Sequence, residues 1–366
     1  MGSISSIVNW KLGKDENDTS AFLDLLRVLA SFAVFFGHGI DFMGVGAALK
    51  PPNAPYMQNV GVLIFFILSG FLIAYTLNRG LQNDESFASY LVNRFSRIYA
   101  GFIPCFAFIV VLSFTLVAFN MHPAPDEVNW VVTLENLLML NGPPLNIFFM
   151  LNVFPNFPLA GQLWTLPAEV HLYIFIGGLY YFFTRASLVG LIIGGLFFYF
   201  PYFYFQFGST GSNITLVWLG GFFSYFAGSY LGNRQYKKST LLLIATIILY
   251  FMLNIVTPAH EYDLKIYPHL IVLFLLILLI TQSTKIVIKL PKLVWLIRYV
   301  ADFSFSLYLV HYPILYLLNI NTGIRGWLGL LFCTFLNVLI AIVLSHVGER
   351  HHKKMAKKIK QYLNIK

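Results

Sequence analysis

Ten apolar runs divide this 366-residue sequence, and each is long enough to cross a lipid bilayer as a helix. A helix needs about 20 apolar residues to cross the hydrocarbon core. Only 11% of the residues are charged and 58% are hydrophobic, which is more apolar surface than one soluble core buries. We therefore predict an all-α polytopic integral membrane protein with these spans: 21–40, 60–78, 98–119, 168–184, 188–206, 214–232, 240–256, 267–284, 299–319 and 327–346.

The cationic residues alternate between successive connections. Of the 24 Lys and Arg residues, only Lys50, Lys265 and Arg325 fall in the connections opposite the N-terminus, and Arg27 lies inside a span. Cytoplasmic loops are enriched in Lys and Arg, so both termini are predicted to be cytoplasmic. The net charge of +9 thus belongs to helix ends, and it does not indicate nucleic-acid binding.

The predicted spans divide the chain into three parts. Residues 1–20 form a cytoplasmic N-terminal segment, residues 21–347 form the transmembrane domain, and residues 348–366 form a basic cytoplasmic tail. We expect this tail to lie on anionic membrane lipids. The long connection 120–167 contains no Lys or Arg and is predicted to be a large extracytoplasmic loop.

The first span contains two residues that are costly in hydrocarbon, Arg27 and His38. They are eleven positions apart, so they lie on nearly the same side of a helix and about 16 Å apart in depth. The imidazole of His38 could take a proton from a hydroxyl or carry an acyl group. The alternatives are an interfacial histidine bonded to a backbone carbonyl, and an Arg27 side chain paired with Asp24 one turn away.

Arg94 and Arg97 are three positions apart, just before the third predicted span. Two guanidinium groups on one face at the beginning of a helix suit the binding of phosphate groups. Ordinary cytoplasmic anchoring of the span is the alternative explanation. The spacing by itself does not separate the two.

Two further polar stretches lie on later spans. Glu169 enters the fourth span without a neighbouring cation in the sequence, so its partner must come from another helix or from a substrate. Trp164, just before it, also fits an aromatic belt at the membrane interface. In the ninth span Ser304, Tyr308 and His311 form one polar stripe, which is explained equally by a site or by hydrogen bonds between helices.

Taken together, the motifs resemble the membrane-bound acyltransferase family three, the O-acyltransferases of bacterial surface and secreted glycans. The resemblance runs from Leu23 to about Arg350. It rests on five motifs in this order: Arg27 and His38 with ten residues between them, G-V-L-I-F-F-I-L-S-G-F-L-I at 61–73, R-F-S-R-I-Y at 94–99, L-W-T-L-P-A-E at 163–169, and F-S-L-Y-L-V-H-Y-P at 305–313.

The resemblance implies a multi-pass enzyme of the bacterial cytoplasmic (inner) membrane. Its expected activity is the transfer of an acyl group, most simply acetyl, from acetyl-CoA to a sugar hydroxyl of lipopolysaccharide, exopolysaccharide or capsule. No metal is expected. Membrane lipids and glycan-assembly proteins are the further expected partners. The alternatives are a transporter or flippase of a glycan or lipid, without covalent transfer, and an inactive relative that binds glycan-assembly partners.

The resemblance also implies a role for each candidate residue. His38 is the expected base or acyl carrier, and Arg27 and Glu169 orient it or stabilise developing charge. Arg94 and Arg97 are expected to bind the phosphates of the coenzyme. The residues expected to contact the acceptor glycan are Trp164, Ser304, Tyr308 and His311.

Overall fold

The computed structural model describes residues 18–51, 53–121, 124–140, 156–198, 213–233 and 266–365. Every regular element in these ranges is a helix, which confirms the all-α prediction for the described part of the chain. Its α-helices are α1 Thr19–Met43, α2 Met57–Gln82, α3 Phe87–Ala118, α4 Trp130–Leu137, α5 Thr165–Arg185, α6 Leu188–Leu196, α7 Ile214–Asn233, α8 Ile266–Ser283, α9 Pro291–Ala301, α10 Ser304–Tyr316, α11 Gly326–Val347 and α12 His352–Tyr362.

Within these ranges, five helical segments are long and apolar enough to cross a membrane, or six if α9 and α10 count as one broken span. They correspond to the first four and the last two of the predicted spans. Helices α6, α7 and α8 cover all or part of three others, and the predicted span 240–256 lies outside the described residues. The count of ten and the cytoplasmic termini therefore stay predictions.

Local sequence signals fix several helix ends. The Ser86 hydroxyl accepts a hydrogen bond from the N–H of Ser89 (3.2 Å) at the start of α3. The Asn129 side chain accepts one from Val132 (3.0 Å) at the start of α4. Such caps satisfy N–H groups that have no partner inside the helix. Helix α5 ends at Arg185, and the left-handed backbone of the next residue, Ala186 (φ 53°), stops the helix.

The chain divides into two compact units. The first consists of Met1–Val34, Ala48–Glu85 and Tyr204–Ala301. The second consists of Phe35–Ala47, Ser86–Phe203 and Asp302–Lys366. Helix α1 thus contributes residues to both units, with Arg27 in the first and His38 in the second.

In the first unit, α2 and α7 cross at two glycines. A Cβ atom at Gly70 would lie 2.0 Å from the carbonyl oxygen of Trp218, and one at Gly221 would lie 2.1 Å from that of Ile67. The Trp218 indole also donates a hydrogen bond to the hydroxyl of Ser69 (3.1 Å). Only residues without a side chain allow two helix backbones to approach this closely.

We expect Gly70→Ala or Gly221→Ala to destabilise the first unit, because the added methyl group would clash with a backbone carbonyl. A backbone carbonyl, unlike a side chain, cannot relieve the clash by changing rotamer. The expected cost is at least about 1–3 kcal/mol. Thermal unfolding of the purified protein in detergent measures it. Gly195→Ala on α6 is the matched control, since nothing lies within 4 Å of its Cβ position. Equal melting temperatures for Gly70→Ala and Gly195→Ala would contradict this close helix crossing.

In the second unit, α3 packs against the corner between α11 and α12. A Cβ atom at Gly348 would lie 1.9 Å from the carbonyl oxygen of Ala100, so this corner rests directly on the α3 backbone. Cys105 and Cys333 are fully buried free thiols, in agreement with their position in apolar runs. The corner matters for the site because it places α12 beside the arginines of α3.

Candidate active site

The imidazole rings of His38 and His311 stack in the second unit. The end of α1 supplies His38 and the middle of α10 supplies His311, with 5.3 Å between the ring centroids and 26° between the ring planes. The Tyr312 ring meets the His38 ring edge-on, at 5.6 Å between centroids. His38 is partly exposed, whereas His311 is completely buried. The partly exposed ring is thus the one that a substrate can reach.

A backbone carbonyl fixes the tautomer of His311. Its Nδ1 lies 2.6 Å from the carbonyl oxygen of Tyr308, and because a carbonyl oxygen only accepts, Nδ1 carries the hydrogen. Nε2 is then a hydrogen-bond acceptor. It is buried and has no hydrogen-bond partner within the described ranges. A buried acceptor without a partner costs free energy unless a ligand satisfies it.

Pro313 explains how α5 is positioned against α10. Proline has no N–H, so the carbonyl of Leu309, four residues earlier in the helix, lacks its usual donor. The side-chain amide of Gln162 donates to that carbonyl instead, at 2.5 Å. Gln162 belongs to the short helix Gly161–Trp164 that leads into α5. The structure thus shows which donor binds the carbonyl that Pro313 leaves free.

Tyr308 joins the same contact between α5 and α10. Its hydroxyl donates to the carbonyl oxygen of Gln162 (3.0 Å) and lies 2.7 Å from the hydroxyl of Thr165, the first residue of α5. Ser304 is completely buried in the first turn of α10. The predicted polar stripe of the ninth span therefore holds α5 in place as well as carrying His311.

Glu169 lies one turn into α5. It accepts a hydrogen bond from the Tyr173 hydroxyl one turn further on, and it lies within electrostatic reach of Tyr308. Trp164 is partly buried at the start of α5. Glu169 on α5 thus lies near Tyr308 on α10.

Arg27 has a local partner. Its guanidinium forms an ion pair with Asp24 at 3.3 Å, and both side chains remain about one quarter exposed. This is the pairing that the sequence left open as the alternative to a role in a site. Because Arg27 belongs to the first unit and His38 to the second, a catalytic role for Arg27 stays a prediction.

Arg94 and Arg97 are partly buried on α3 in the second unit. The Nε of Arg94 is buried and has no acceptor among the described residues. Across the same part of the chain, neither guanidinium lies within ion-pair distance of a carboxylate. An Arg97 nitrogen instead lies 3.5 Å from Nδ1 of His352 on α12. Both arginines are therefore available to an anionic ligand.

Some residues of the site were not singled out from the sequence. Thr165 and Tyr312 stand inside motifs that were recognised, next to residues already assigned. Gln162 could have been sought from the free carbonyl that Pro313 creates, although the sequence does not say which donor meets it. His352 lies in the basic tail, where composition alone suggested contact with lipid.

A family model described as an acyltransferase domain matches residues 20–346, which is most of the chain. The protein belongs to acyltransferase family 3. This confirms the resemblance found in the motifs, and the matched range contains His38, Arg94, Glu169 and His311.

Among characterised proteins, this acyltransferase is similar to an O-acetyl transferase of Shigella phage Sf6. The two are 27% identical over 165 residues, which is 42% of this chain and 44% of the phage protein. The chain thus matches less than half the length of that relative. No solved structure matches the chain.

Proposed function

We propose that this acyltransferase moves an acetyl group from acetyl-CoA to a sugar hydroxyl of a surface or exported glycan. Support comes from the family and from a similar protein named as an O-acetyl transferase. The observation that carries the proposal is the stack of a partly exposed His38 on a buried His311 with a fixed tautomer. Hydroxyl acylation requires a general base of this kind.

The reaction proceeds in two steps at His38. Its imidazole takes the proton from the sugar hydroxyl as the oxygen attacks the thioester carbonyl, which forms the new C–O bond and a tetrahedral intermediate. The intermediate collapses, the C–S bond breaks, and the coenzyme thiolate takes the proton from the His38 imidazolium. The products are a sugar acetyl ester and free coenzyme A, and His38 returns to its starting state.

The acceptor binds where α5 meets α10. Aromatic faces suit sugar rings, and Trp164 stands at the start of α5. Glu169 accepts a hydrogen bond from a sugar hydroxyl in addition to the one from Tyr173. Ser304 and Tyr308 of α10 hold this acceptor-binding surface in position. Arg27, which forms an ion pair with Asp24, is proposed to stabilise charge that develops during the reaction.

The donor approaches from the cytoplasm of a bacterial cell, where the arginines of α3 bind its phosphates. The acceptor approaches from the opposite face of the inner membrane, in keeping with the absence of Lys and Arg from 120–167. The pantetheine arm then crosses part of the membrane so that the thioester reaches His38. Lipopolysaccharide, exopolysaccharide and capsule are the proposed acceptor glycans.

Replacing either Arg94 or Arg97 by Gln should raise the KM for acetyl-CoA. One lost charge-assisted contact to phosphate is worth about 1.5–3 kcal/mol, or roughly one to two orders of magnitude in affinity. Lys at either position should recover part of the affinity as a point charge without the two-pronged geometry. Steady-state kinetics at varied acetyl-CoA, with acceptor in excess, measures the effect.

Arg185→Gln is the matched control for these variants. It removes a cation from the end of another predicted span, where the guanidinium lies over the Tyr181 ring. We expect its KM for acetyl-CoA to equal that of the wild type. If Arg94→Gln and Arg97→Gln also leave that KM unchanged while acceptor use collapses, the pair does not bind the donor.

A further inference from the structure

We propose that the C-terminal helix α12 completes the phosphate-binding site of the donor, with Lys353, next to His352, joining Arg94 and Arg97. The inference rests on the proposed function, because it takes acetyl-CoA as the ligand of the two arginines. The chemical class that the site binds is a phosphate or diphosphate group. The tail that contains α12 would then be part of the active enzyme, and not only a basic surface on lipid.

A buried carboxylate fixes the start of α12. Glu349, in the short helix Glu349–His351, is 2% exposed, and its Oε2 accepts hydrogen bonds from the N–H (3.0 Å) and the hydroxyl (2.8 Å) of Ser306 on α10. Gly348 beside it rests on the α3 backbone at Ala100. Ala356, one turn into α12, is also buried. Helix α12 therefore begins from a fixed point between α3 and α10.

The same anchor orients His352. Its Nδ1 lies 2.9 Å from the carbonyl oxygen of Glu349, so Nδ1 carries a hydrogen and donates it there. The Arg97 nitrogen 3.5 Å from that Nδ1 is then a donor facing a donor. Such a pair gains no hydrogen bond from its own contact. An acceptor placed beside both groups would satisfy the guanidinium.

The surrounding charges also favour an anion. His352 lies within electrostatic reach of Arg97, Lys353 and Arg94. In the described ranges, no carboxylate lies at ion-pair distance from these three cations. Cations held close together at a protein surface repel one another, and a bound phosphate replaces that repulsion with charge-assisted hydrogen bonds. The buried Nε of Arg94 provides a further donor.

The phosphate that binds this cluster could belong to the coenzyme or to a phospholipid headgroup. The way α12 is attached to α10 favours the coenzyme. Glu349 ties the start of α12 to Ser306, and Ser306 stands in the same helix as His311. Helix α10 thus connects the cluster of cations to the imidazole pair. A ligand with phosphates at one end and a thioester at the other requires both.

Binding of acetyl-CoA to the full-length protein in phosphatidylcholine nanodiscs tests the proposal by calorimetry. Lys353→Gln should weaken binding about tenfold through the loss of one phosphate contact. Lys354→Gln is the matched control: it removes an equal charge from the next position, which is exposed and not among the charges acting on His352.

The phosphates are tested separately with acetyl-pantetheine, which lacks them. The proposal predicts that the variants and the wild type bind acetyl-pantetheine equally. Equal losses for Lys353→Gln and Lys354→Gln would overturn it, since only net charge would matter. It is also overturned if Lys353→Gln leaves acetyl-CoA affinity unchanged; fewer phosphatidylglycerol molecules retained by that variant in native mass spectrometry would then assign the cluster to lipid. In both cases, weaker binding of acetyl-CoA by Arg94→Gln or Arg97→Gln would still support the proposed function.

Discussion

His38→Ala should abolish acetyl transfer while leaving the amount of protein in the membrane near that of the wild type. A general base contributes about 10²–10⁴ to the rate, and no other imidazole in the described part of the chain is both stacked in this site and exposed to a substrate. The side chain is partly exposed, so its removal leaves no large cavity. Acetyl transfer by the purified protein and an immunoblot of membranes give the two quantities.

Ser31→Ala is the matched control for His38→Ala. Ser31 lies seven positions before His38, on the same side of α1, but its hydroxyl donates to the Val28 carbonyl within the helix (2.9 Å) and is buried. We expect full activity from this variant. If His38→Ala retains activity, or if both variants lose activity together with protein abundance, this side of α1 is structural and His38 is not the base.

His311→Asn should lower kcat by about 10²-fold or more, with little change in the KM for acetyl-CoA. The asparagine amide can still donate to the Tyr308 carbonyl, as Nδ1 does, so the variant removes mainly the buried Nε2 acceptor. That acceptor belongs to the ring stacked on His38, and in the proposed reaction the sugar hydroxyl binds beside this pair. Steady-state kinetics and thermal unfolding separate an effect on catalysis from a loss of folded protein.

His171→Asn provides the comparison for a buried histidine outside the stack. His171 is 4% exposed on α5, and its ring packs against Phe197. Both variants are expected to lower the melting temperature, but only His311→Asn should lower kcat in the protein that remains folded. Wild-type kcat for His311→Asn would contradict a role for Nε2. Equal loss of kcat in both variants would mean that the histidines act only through packing.

His38 was visible in the sequence because charged or titratable side chains inside an apolar run are costly unless a protein uses them. His311 was found in the same way. Their stacking was not predictable from periodicity, because it joins helices from opposite ends of the chain. The stacking depends on how α1 and α10 cross, and that crossing is set by packing between residues far apart in the sequence.

The basic tail shows where composition falls short. Its many cations suggested a surface on lipid, and Glu349 was one acid among them. The structure buries that acid against Ser306 and so fixes α12 beside α3. A buried carboxylate needs a donor, but the sequence does not reveal which residues are buried. Composition therefore identified the tail as basic without showing the anion site that we propose.

The most direct test of the account is the mass of surface glycans from cells that carry the gene, cells that lack it, and cells that carry His38→Ala at equal protein abundance. We predict that base-labile acetyl esters on sugar hydroxyls occur only with the wild type. Isotope supplied in the acetyl group of acetyl-CoA should appear in those esters in membrane preparations. Identical glycan masses in all three strains, or acetyl esters that persist with His38→Ala, would contradict acetyl transfer at the His38–His311 pair.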